Sequence, residues 1–558
     1  MRVRLSPDAL WLIATLAFVS VWIWRSMGGA LGPGIVQDDA RQHVFWMQRL
    51  VDPSLFRGDL YADYFESQAP SGYVAIYRAL LWFVDPIVAS KLLPPVLGLL
   101  ASAFTFLLVR RLDPSPRAAF LVAILDGWYV WQYDDVPTGS PRAFLLPLCV
   151  AMIWALVTAR RGLAIGLVAL AALIYPSAAA LMVVQAGLGL VRFCRWRPRF
   201  STDRREWLAF IVLAGLAFAL LAPMAFGSSP FGPAINGTTA RDMPEFGPNG
   251  RNAIFTTDPY AYWLTSYRSG FDLRILDRLL PNVPLMYLLA GLALLLPVVM
   301  VVGGKPMRAR VGPAGAIVLR ILAASMVLFF AAHLLLFRLY LPSRFVAWTV
   351  PLAFSIAAGV ALAVIVESIA RRLNASRTGI KANLLTLLAA IGLALYPAAF
   401  DGNFVHDNIP TITAYLRTLP PDTLIAGVPL DADSVPALTG RPVLVNREYA
   451  LPYHEGFYRV VQQRTLDLID AYYADSPGRV DELARKYGVQ IFLVDRQAFD
   501  LERAADAWAG SFDPYTTLVL DRLRRGGRFA LLDAVRRCSV VSQGDVAVVP
   551  ASCFKPLR

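Results

Sequence analysis

The chain has 558 residues, of which 57% are hydrophobic and only 17% are charged, and its mean hydropathy is +0.51. Soluble globular proteins carry nearer a quarter of charged residues, so this composition excludes an ordinary soluble enzyme and indicates a polytopic membrane protein. The net charge of +13 would suit a nucleic-acid partner, but the basic residues gather in short segments between apolar runs, and we expect membrane lipids and no nucleic acid as partners.

Apolar runs divide the first 400 residues, and most of them are long enough to cross about 30 Å of hydrocarbon. The first run has no small-residue cleavage site after it, so we expect a retained span. Two runs around ALIYPSAAA are too short to cross unaided, and Pro176 between them predicts a hairpin of half-length helices that is buried or lines a cavity. The predicted spans are about residues 8–26, 87–109, 117–132, 141–159, 163–174, 176–192, 206–226, 282–303, 317–337, 345–367 and 382–400.

The segments between these runs alternate in charge. Strongly basic segments are RRLDPSPR, ARRG, RFCRWRPRFSTDRRE, GGKPMRAR and RRLNASRTGIK, whereas 26–86, WQYDDVPTGSPR and 227–280 carry about as many acids as bases, or more. Lys and Arg are enriched in cytoplasmic loops. The alternation therefore predicts about eleven transmembrane helices, a cytoplasmic N-terminus and an extracytoplasmic C-terminal portion, most simply in a bacterial inner membrane.

Two of the predicted outer loops, 28–86 and 227–280, are unusually long. In the first, ARQHVFWMQRLV spaces Val44, Met47 and Val51 along one helical face, which predicts a helix lying at the membrane surface. APSGYVAIYRALLWFVDP is apolar but short, and a full span there would invert every later loop, so we expect a juxtamembrane or re-entrant segment. The second loop is rich in Gly, Pro, Asn and Thr and predicts a mobile cover over the outer face.

The character of the chain changes after residue 400. Short β-like runs (TLIAG, PVLVN, QIFLVD, VAVVP) alternate with helical stretches such as TLDLIDAYYA and VDELARKY, which predicts a small α/β domain. We therefore divide the chain into a transmembrane domain of residues 1–400 and a soluble extracytoplasmic domain of residues 401–558. Cys538 and Cys553 would pair in an oxidising compartment, although two free thiols fit the sequence equally well.

Two pairs of adjacent acids lie on the predicted outer face, Asp38 with Asp39 in QDDARQH and Asp134 with Asp135 in WQYDDVPTGSPR. An Asp before ARQHVFWMQRL also suits a helix N-cap in a solvated loop, which is the structural alternative. Two pairs near the ends of neighbouring spans instead favour one shared site. Carboxylates there serve as a general base or hold a divalent cation such as Mg²⁺ or Mn²⁺.

The turn FRLYLPSRF lies between the ninth and tenth predicted spans and holds Arg338, Tyr340 and Arg344 on a short Pro-containing loop. Arginine presents a planar fork of donors that fits phosphate, so the turn predicts a phosphate site. Snorkelling of long basic side chains to the membrane interface is the alternative, and it is stronger for Arg338. His43 stands one helical turn after Asp39 and is a candidate accessory residue.

Taken together, these segments resemble the GT-C superfamily of integral-membrane glycosyltransferases, which includes protein O-mannosyltransferases, aminoarabinose transferases and oligosaccharyltransferases. The resemblance lies in QDDARQH, in APSGYVAIYRALLWFVDP followed by a span ending in LVRRL, in YDDVPTGSPR, in LYLPSRF, and in a terminal α/β domain with RPVLVNRE and KYGVQIFLVD. It covers nearly the whole chain in order and topology. The first motif reads DD here, where better-known branches have DxD or DE, and no acceptor-recognition motif of an oligosaccharyltransferase is visible.

The resemblance implies a sugar donor on a polyprenyl phosphate and a lipid, glycan or protein acceptor. Asp38 or Asp39 would be the catalytic carboxylate, Arg344 would bind the carrier phosphate, and Arg338 would assist with Tyr340 beside it. Asp134 and Asp135 match the second acidic loop of the metal-using members of the superfamily. If a metal is used, these four aspartates are its candidate ligands.

Other functions fit the same sequence. A transporter or flippase of lipid-linked sugars also needs broken helices and polar groups within the membrane, but it does not need a sizeable outer domain, and such proteins often carry internal repeats that are not visible here. A non-enzymatic cell-envelope assembly protein would use the outer domain to bind a partner and would tolerate loss of all four aspartates. A polymer ligase that transfers a whole glycan is a further possibility within the enzyme class.

Overall fold

The computed structural model describes residues 5–133, 135–194, 197–271, 285–373, 378–395, 402–508 and 515–555. The helices up to residue 400 are α1 (Pro7–Met27), α2 (Asp38–His43), α3 (Leu60–Gln68), α4 (Ser71–Leu80), α5 (Pro86–Leu112), α6 (Pro116–Val130), α7 (Leu145–Val157), α8 (Arg161–Ile174), α9 (Pro176–Gly189), α10 (Arg204–Phe226), α11 (Gly237–Arg241), α12 (Leu285–Ala293), α13 (Leu295–Val302), α14 (Gly304–Leu334), α15 (Thr349–Leu373) and α16 (Thr378–Leu395). Short 3₁₀ helices cover Phe45–Leu50, Pro141–Phe144, Pro244–Phe246 and Pro342–Phe345, and one π-helical turn covers Ala261–Thr265.

Within the described ranges, five helices are long and apolar enough to cross a membrane, namely Pro7–Met27, Pro86–Leu112, Arg204–Phe226, Gly304–Leu334 and Pro342–Leu373, the last joining a 3₁₀ turn to α15. Shorter apolar helices cover Pro141–Val157, Arg161–Ile174, Pro176–Gly189, Leu288–Val302 and Gly379–Leu395. Every predicted span overlaps a helix. The predicted fold class, a polytopic helical membrane protein with an α/β region at its C-terminal end, is confirmed.

The predicted break at Pro176 is present. Helices α8 and α9 have 14 residues each, and Tyr175 between them is extended with φ −148° and ψ 94°. Proline disfavours helical backbone in the residue before it and fits well at the first helical position, which explains why one helix ends and the next begins here. The two half-length helices pack against each other, with the break at one end of the bundle.

Helix α15 lies at the centre of the bundle and packs closely on α6. Gly359 permits this approach, because a Cβ atom there would lie 2.6 Å from the backbone nitrogen of Val122. The surrounding core is formed by almost completely buried alanine and valine side chains of both helices and by buried aromatic side chains of α6. A larger residue at position 359 would therefore force the two helices apart.

Two predictions for the first 400 residues are wrong. The expected loop GGKPMRAR is helical, because α14 begins at Gly304 and runs for 31 residues. ARQHVFWMQRLV is not one helix on the membrane surface: it is divided between α2 and a 3₁₀ helix, and Val44 and Met47 are fully buried, whereas Val51 is 59% exposed. The apolar side chains of this stretch contact protein, since Tyr449 of the C-terminal region stacks on Phe45.

The C-terminal region has a mixed four-stranded sheet in the order β5, β6, β8, β7, in which β5 and β6 are parallel and the other pairs are antiparallel. The strands within the described residues are β1 (Ile35–Gln37), β2 (Val191–Cys194), β3 (Arg197–Phe200), β4 (Phe404–His406), β5 (Leu424–Gly427), β6 (Val489–Asp495), β7 (Val541–Gln543) and β8 (Val546–Pro550). The remaining helices are α17 (Pro410–Thr418), α18 (Pro429–Ala432), α19 (Val435–Thr439), α20 (Glu455–Tyr472), α21 (Pro477–Tyr487), α22 (Leu501–Trp508), α23 (Tyr515–Arg524) and α24 (Ala530–Cys538), with 3₁₀ turns at Arg496–Phe499 and Ala551–Phe554.

Three of the four predicted runs in this region are strands. PVLVN is not a strand, because only Val443 forms an isolated parallel bridge, to Ile425, before the chain turns towards the bundle. Strand β7 was not predicted. Cys538 and Cys553 form a disulfide.

Backbone hydrogen bonds join the C-terminal region to the loops of the bundle. Strand β1, just before Asp38, pairs antiparallel with β4, and the amide of Asp38 donates to the carbonyl of Asn403 at 3.0 Å. In the second long loop, the amide of Ile235 donates to Tyr453 O at 2.9 Å, and the amide of Phe457 donates to Phe231 O at 3.0 Å. The part of this loop that precedes residue 272 is therefore tied to the C-terminal region, and its role as a mobile cover stays a prediction.

Candidate functional site

A cavity of about 1090 Å³ lies where the loops of the bundle meet the C-terminal region. Binding pockets for small molecules typically enclose about 300–1,000 Å³, so this one has room for a large ligand or for two ligands. Its lining comes from many separate segments of the chain, which contribute Asp38, Asp39, Gln42, His43, Arg142, Tyr175, Arg251, Arg268, Arg338, Tyr340, Arg344, Asn403, Arg447, Glu448, Tyr453 and His454 among others.

The first acidic pair lies at the start of α2, and neither aspartate caps that helix. The side chain of Gln37 takes the cap position and accepts from Ala40 N at 3.1 Å. The structural alternative, in which one of these aspartates caps the helix, is therefore wrong, and both carboxylates line the cavity. The two aspartates nevertheless have different partners.

Asp38 is held by partners on both of its oxygens. The guanidinium of Arg41 contacts Oδ1, and Asn403 Nδ2 donates to Oδ2 at 3.0 Å. Arg41 comes from the same short helix, whereas Asn403 comes from the segment that begins the C-terminal region. Opposite charge and a neutral donor thus fix the direction of this carboxylate, and 27% of its side chain stays exposed.

Asp39 belongs to a second cluster, which joins the two acidic loops and the arginine turn. Arg142 contacts the carboxylate of Asp39, and its Nη1 lies 3.4 Å from Asp135 Oδ1. The same Asp135 oxygen lies 3.9 Å from Arg344 Nη1. Three segments that the sequence singled out independently therefore meet at one point. Asp134 lies outside the described residues.

The second acidic loop is held in place by tyrosines of α4. Tyr73 and Tyr77 both donate their hydroxyls to the carbonyl oxygen of Gly139, at 3.1 and 2.8 Å. Gly139 has φ +62°, and a Cβ atom there would lie 2.5 Å from Ser90 O, so only glycine fits this close approach. This is the role of the short apolar segment after residue 69: it positions the loop that carries Asp135.

The arginine turn is rigid at one end and exposed at the other. Ser343 anchors it, because its amide donates to Arg268 O at 3.2 Å and its hydroxyl donates to Tyr267 O at 2.7 Å. Arg344 is only 7% exposed, which does not fit simple snorkelling. Arg338 is exposed, and Tyr340 has a left-handed backbone with φ +64° and is 37% exposed, although both line the cavity.

His43 lines the same cavity and is neutral at physiological pH. Burial, and after it the positive charge of Arg344, lowers the pKa of His43 to about 4. A neutral imidazole contributes hydrogen bonds to a bound ligand without adding positive charge. His43, the candidate accessory residue, thus presents an uncharged polar group to the cavity.

A further set of charges on the cavity wall was not predicted as part of the site. Glu448 Oε1 lies 2.5 Å from Arg251 Nη2, and its Oε2 lies 3.7 Å from Arg41 Nη2. Burial alone would lower the pKa of Arg41, but the carboxylates of Asp38, Glu448 and Asp433 outweigh it and raise the pKa above its usual value. Burial and the neighbouring Glu448 raise the pKa of Asp433 to about 7.

Most of these unpredicted residues lie inside motifs that the sequence had already marked. Arg41 is in QDDARQH, Arg142 ends YDDVPTGSPR, and Glu448 is in RPVLVNRE. The motifs identify these residues, but they do not predict which acid each arginine contacts. Arg251 had no sequence signal beyond its position in the second long loop.

The described carboxylates do not form a metal site. Within the ranges that the structure describes, no three His, Cys, Asp or Glu side chains come together as potential ligands. Asp38 and Asp39 face the guanidinium groups of Arg41 and Arg142 rather than one another. We therefore assign no step to a divalent cation.

No family model and no curated protein sequence matches the chain. Solved structures do match. The archaeal oligosaccharyltransferase AglB from Archaeoglobus fulgidus, in complex with an inhibitory peptide and a dolichol-phosphate, is 12% identical with a TM-score of 0.53, and the match covers 91% of this chain and 72% of that one.

The Archaeoglobus fulgidus oligosaccharyltransferase tethered to an acceptor peptide is 12% identical with a TM-score of 0.52, over 92% of this chain and 72% of that one. ArnT from Cupriavidus metallidurans bound to undecaprenyl phosphate is 13% identical with a TM-score of 0.48, over 98% of this chain and 99% of that one. The two oligosaccharyltransferase matches show that the chain has the fold of a GT-C membrane glycosyltransferase, which confirms at the level of fold the resemblance read from the sequence.

Proposed function

We propose that the protein is a membrane glycosyltransferase that moves a sugar from a polyprenyl-phosphate donor to an acceptor hydroxyl at the outer face of a bacterial inner membrane. One observation carries the proposal: two acidic loops and an arginine turn, of which the first and last are more than 300 residues apart in sequence, meet at one cavity at the end of the helix bundle. The cavity offers carboxylates for an acceptor and guanidinium groups for a phosphate. The GT-C fold supports this assignment.

Arg344 is the proposed ligand of the carrier phosphate, with Arg338 and Tyr340 assisting from the same turn. The Arg344 Nη1 atom is 3.9 Å from Asp135 Oδ1, which is too long for a hydrogen bond, so its donors can turn to a phosphate without breaking one there. A buried guanidinium binds phosphate oxygens through charge-assisted hydrogen bonds. The neighbour with the same fold was solved with dolichol-phosphate, a carrier of this class.

The lipid chain of the donor has an apolar route into the cavity. Ala180 on α9 and Leu221, Met224 and Ala225 on α10 line the cavity near the break at Tyr175. Helix α10 carries many exposed apolar side chains, such as Phe218 at 65% exposure, as expected for a helix that faces lipid. A polyprenyl chain would lie along these helices with its phosphate towards Arg344.

Asp38 is the proposed general base, and Asp39 is its helper. The two oxygens of Asp38 are held in a fixed direction by Arg41 and Asn403, and its side chain is the more exposed of the pair, at 27% against 19% for Asp39. Asp39 is joined through Arg142 to the cluster that contains Arg344. It would therefore orient the phosphate side of the site while Asp38 takes the proton.

The proposed reaction breaks the bond between the sugar C1 and the phosphate oxygen and forms a bond between C1 and the acceptor oxygen. Asp38 accepts the proton of the acceptor hydroxyl as this oxygen attacks, and the bonding pair of the broken bond leaves with the phosphate. Positive charge develops on the sugar ring, and negative charge grows on the leaving phosphate. Arg344 stabilises that charge, and such preorganised electrostatic stabilisation is commonly the largest contribution to catalysis.

The membrane orientation is part of the proposal. We place the N-terminus in the cytoplasm, assign residues 1–400 to the catalytic transmembrane domain, and place residues 401–558 outside. The Cys538–Cys553 disulfide supports an oxidising compartment for the C-terminal region. The acceptor, whether lipid, glycan or protein, would enter from that side.

The function is tested with the full-length protein in lipid nanodiscs and a radiolabelled undecaprenyl-phosphate sugar. We expect loss of the sugar from the carrier and its appearance on an acceptor supplied by a membrane extract, as followed by thin-layer chromatography. A flippase would move the lipid across the bilayer with the sugar–phosphate bond intact. Intact donor after incubation with several sugars and extracts, together with transbilayer movement of the lipid, would overturn the enzyme assignment.

A further inference from the structure

Glu448 bridges two arginines that come from different parts of the chain. Its two carboxylate oxygens face different partners, Oε1 facing Arg251 at 2.5 Å and Oε2 facing Arg41 at 3.7 Å. Arg41 in turn contacts Asp38 through the same Nη2 atom. A continuous line of charges therefore runs from the loop that carries Arg251, through the C-terminal region, to the proposed base.

The bridge is buried. The side chains of Glu448 and Arg41 are each 8% exposed, and that of Arg251 is 15% exposed. Buried ion pairs are screened little by solvent, and removal of one member leaves an uncompensated charge. The position of each member of this line therefore depends strongly on the others.

The backbone around Glu448 is fixed by hydrogen bonds that do not involve its carboxylate. Its amide donates to Asp433 Oδ1 at 3.0 Å, and its carbonyl accepts from Gln42 Nε2 at 2.6 Å. Tyr449 OH donates to Arg41 O at 2.8 Å. Because these hydrogen bonds join α2 to the loop that carries Glu448, the backbone of Glu448 has a fixed position. Its carboxylate therefore cannot move far towards either arginine.

Arg251 is the other end of this line of charges. It belongs to residues 227–271, the described part of the second long loop, which backbone hydrogen bonds tie to the C-terminal region. Its carbonyl accepts from Arg268 Nη2 at 3.2 Å, and Arg268 Nη1 donates to Tyr453 OH at 3.2 Å. Arg251 is therefore held beside Glu448 by contacts of its own loop.

We propose that Glu448 is a positioning residue: Arg251 fixes one of its carboxylate oxygens, and the other oxygen helps to keep Arg41 beside Asp38. The alignment of Asp38 then depends on the contact between Glu448 and Arg251. When the Glu448 carboxylate or Arg251 is removed, Arg41 loses this support, and Asp38 loses part of its alignment. The inference rests on the proposed function of Asp38.

The experiment measures kcat and KM for the lipid-linked donor, and the Kd for undecaprenyl phosphate, with full-length protein in nanodiscs. We expect Glu448→Gln and Arg251→Gln each to lower kcat about tenfold, as the loss of alignment of one catalytic group does. Because the phosphate site is at Arg344, the Kd for undecaprenyl phosphate should change less than about twofold. Since both variants break the same contact, the double variant should lose no more than either single variant.

Glu482→Gln on α21 is the matched control, because Glu482 is 65% exposed in a surface pair with Arg479. It should keep the wild-type kcat. Glu448→Asp keeps the charge and should recover part of the kcat lost in Glu448→Gln, which a merely structural loss would not produce. If Glu448→Gln does not fold, Arg251→Gln together with Arg251→Lys replaces it, with lysine expected to retain more kcat than glutamine.

The outcomes separate this inference from the proposed function. Wild-type kcat in both Glu448→Gln and Arg251→Gln would overturn the positioning role while leaving the transferase assignment intact. Multiplicative losses in the double variant would also contradict it, because the two residues would then act independently. A wild-type protein that neither binds undecaprenyl phosphate nor transfers sugar would overturn both.

Discussion

The two ends of the helix bundle each hold a buried group of arginines and acids, but the groups are built differently. At one end, Asp113, Arg310 and Glu367 join α5, α14 and α15. At the other end, Asp38, Asp39, Arg142 and Arg344 surround the cavity. Helix α15 begins at Thr349, shortly after the 3₁₀ turn that carries Arg344, and Glu367 lies near its other end. At 1.5 Å per residue, Thr349 and Glu367 are about 27 Å apart, so the two groups lie near opposite ends of the same helix.

The Asp113 group is closed. Asp113 accepts from Arg310 Nε at 3.0 Å and from Arg310 Nη2 at 3.1 Å, so a bidentate pair occupies both of its oxygens. Glu367 accepts from Arg310 Nη1 at 2.8 Å, from Arg117 Nη2 at 2.9 Å and from Ser115 Oγ at 2.6 Å. Each of these charged side chains is paired with an opposite charge, and the group holds the helices of the bundle together.

The group around the cavity is open. Its arginines face acids, but the contact from Arg344 to Asp135 is 3.9 Å, and the carboxylate of Asp38 keeps part of its surface exposed. Charged side chains that line a cavity stabilise the fold less than closed ion pairs do, because the attraction between them does not fully offset the cost of their desolvation. The difference teaches that ion pairing alone does not mark a site, whereas ion pairs that line a large cavity and stay partly exposed to it do.

The largest effect is expected for Asp38→Asn, which removes the proposed base and leaves the fold unchanged. General acid–base groups contribute about 100- to 10,000-fold, so sugar transfer in nanodiscs should fall by at least about 100-fold. The melting temperature should fall less than in a variant that opens the Asp113 group, because Arg41 loses one ion-pair partner but keeps Glu448. Full activity in both Asp38→Asn and Asp39→Asn would remove the carboxylate assignment altogether.

Arg344→Gln should weaken binding of the carrier phosphate rather than proton transfer to Asp38. A hydrogen bond to a charged group contributes about 1.5–3 kcal/mol, so the Kd for undecaprenyl phosphate should rise about 10- to 100-fold. Arg459→Gln is the control, because Arg459 is a surface residue with 74% of its side chain exposed. Equal binding by Arg344→Gln and Arg459→Gln, as measured by scintillation proximity, would place the phosphate elsewhere.

Asp113→Asn should show the opposite pattern and so sharpen the comparison. Removal of one partner from a buried ion pair costs about 3–5 kcal/mol, and the Asp113 side chain is fully buried at 0% exposure. We expect a melting temperature lower by several degrees and a lower yield, with transfer per folded molecule close to the wild type. A large loss of kcat at unchanged stability would mean that the closed group takes part in function.

The smallest effect concerns the stability of the open group towards acid. His43 has a pKa of about 4 in the folded protein, against about 6.5 in an unfolded chain. The unfolded state therefore binds more protons between these values, and stability should fall as the pH falls from about 6.5 to about 4. In His43→Gln this contribution is absent, so its melting temperature should fall less over that range, and identical pH slopes would contradict the burial of a neutral His43.

The order of spans and their helical nature followed from the sequence because hydropathy and the distribution of Lys and Arg act locally and strongly. Pro176 located the broken hairpin for the same reason. GGKPMRAR was misread as a loop because its charges suit a membrane boundary, yet charged residues also extend helices beyond the bilayer. ARQHVFWMQRLV was misread because its apolar residues predict a buried face without saying whether lipid or protein buries it.

The candidate site was only partly visible in the sequence. Asp39, Asp135 and Arg344 were identified one by one, and the alternation of charge along the chain predicts that all three lie on one face of the membrane. The pairing of Arg142 with Asp39, and of Glu448 with Arg41 and Arg251, depends on contacts between residues more than 90 positions apart. Such contacts leave no local pattern, because any arginine can pair with any acid that the fold brings near.

The central claim is that a polyprenyl phosphate binds with its phosphate at Arg344 and opposite the first acidic pair. An electron cryo-microscopy map of the full-length protein in nanodiscs with undecaprenyl phosphate bound tests it most directly. We predict phosphate density at hydrogen-bonding distance, about 3 Å, from the Arg344 guanidinium, with the lipid chain along α9 and α10 and Asp38 facing the open side of the phosphate. Phosphate density away from both Arg344 and the acidic loops would contradict the account.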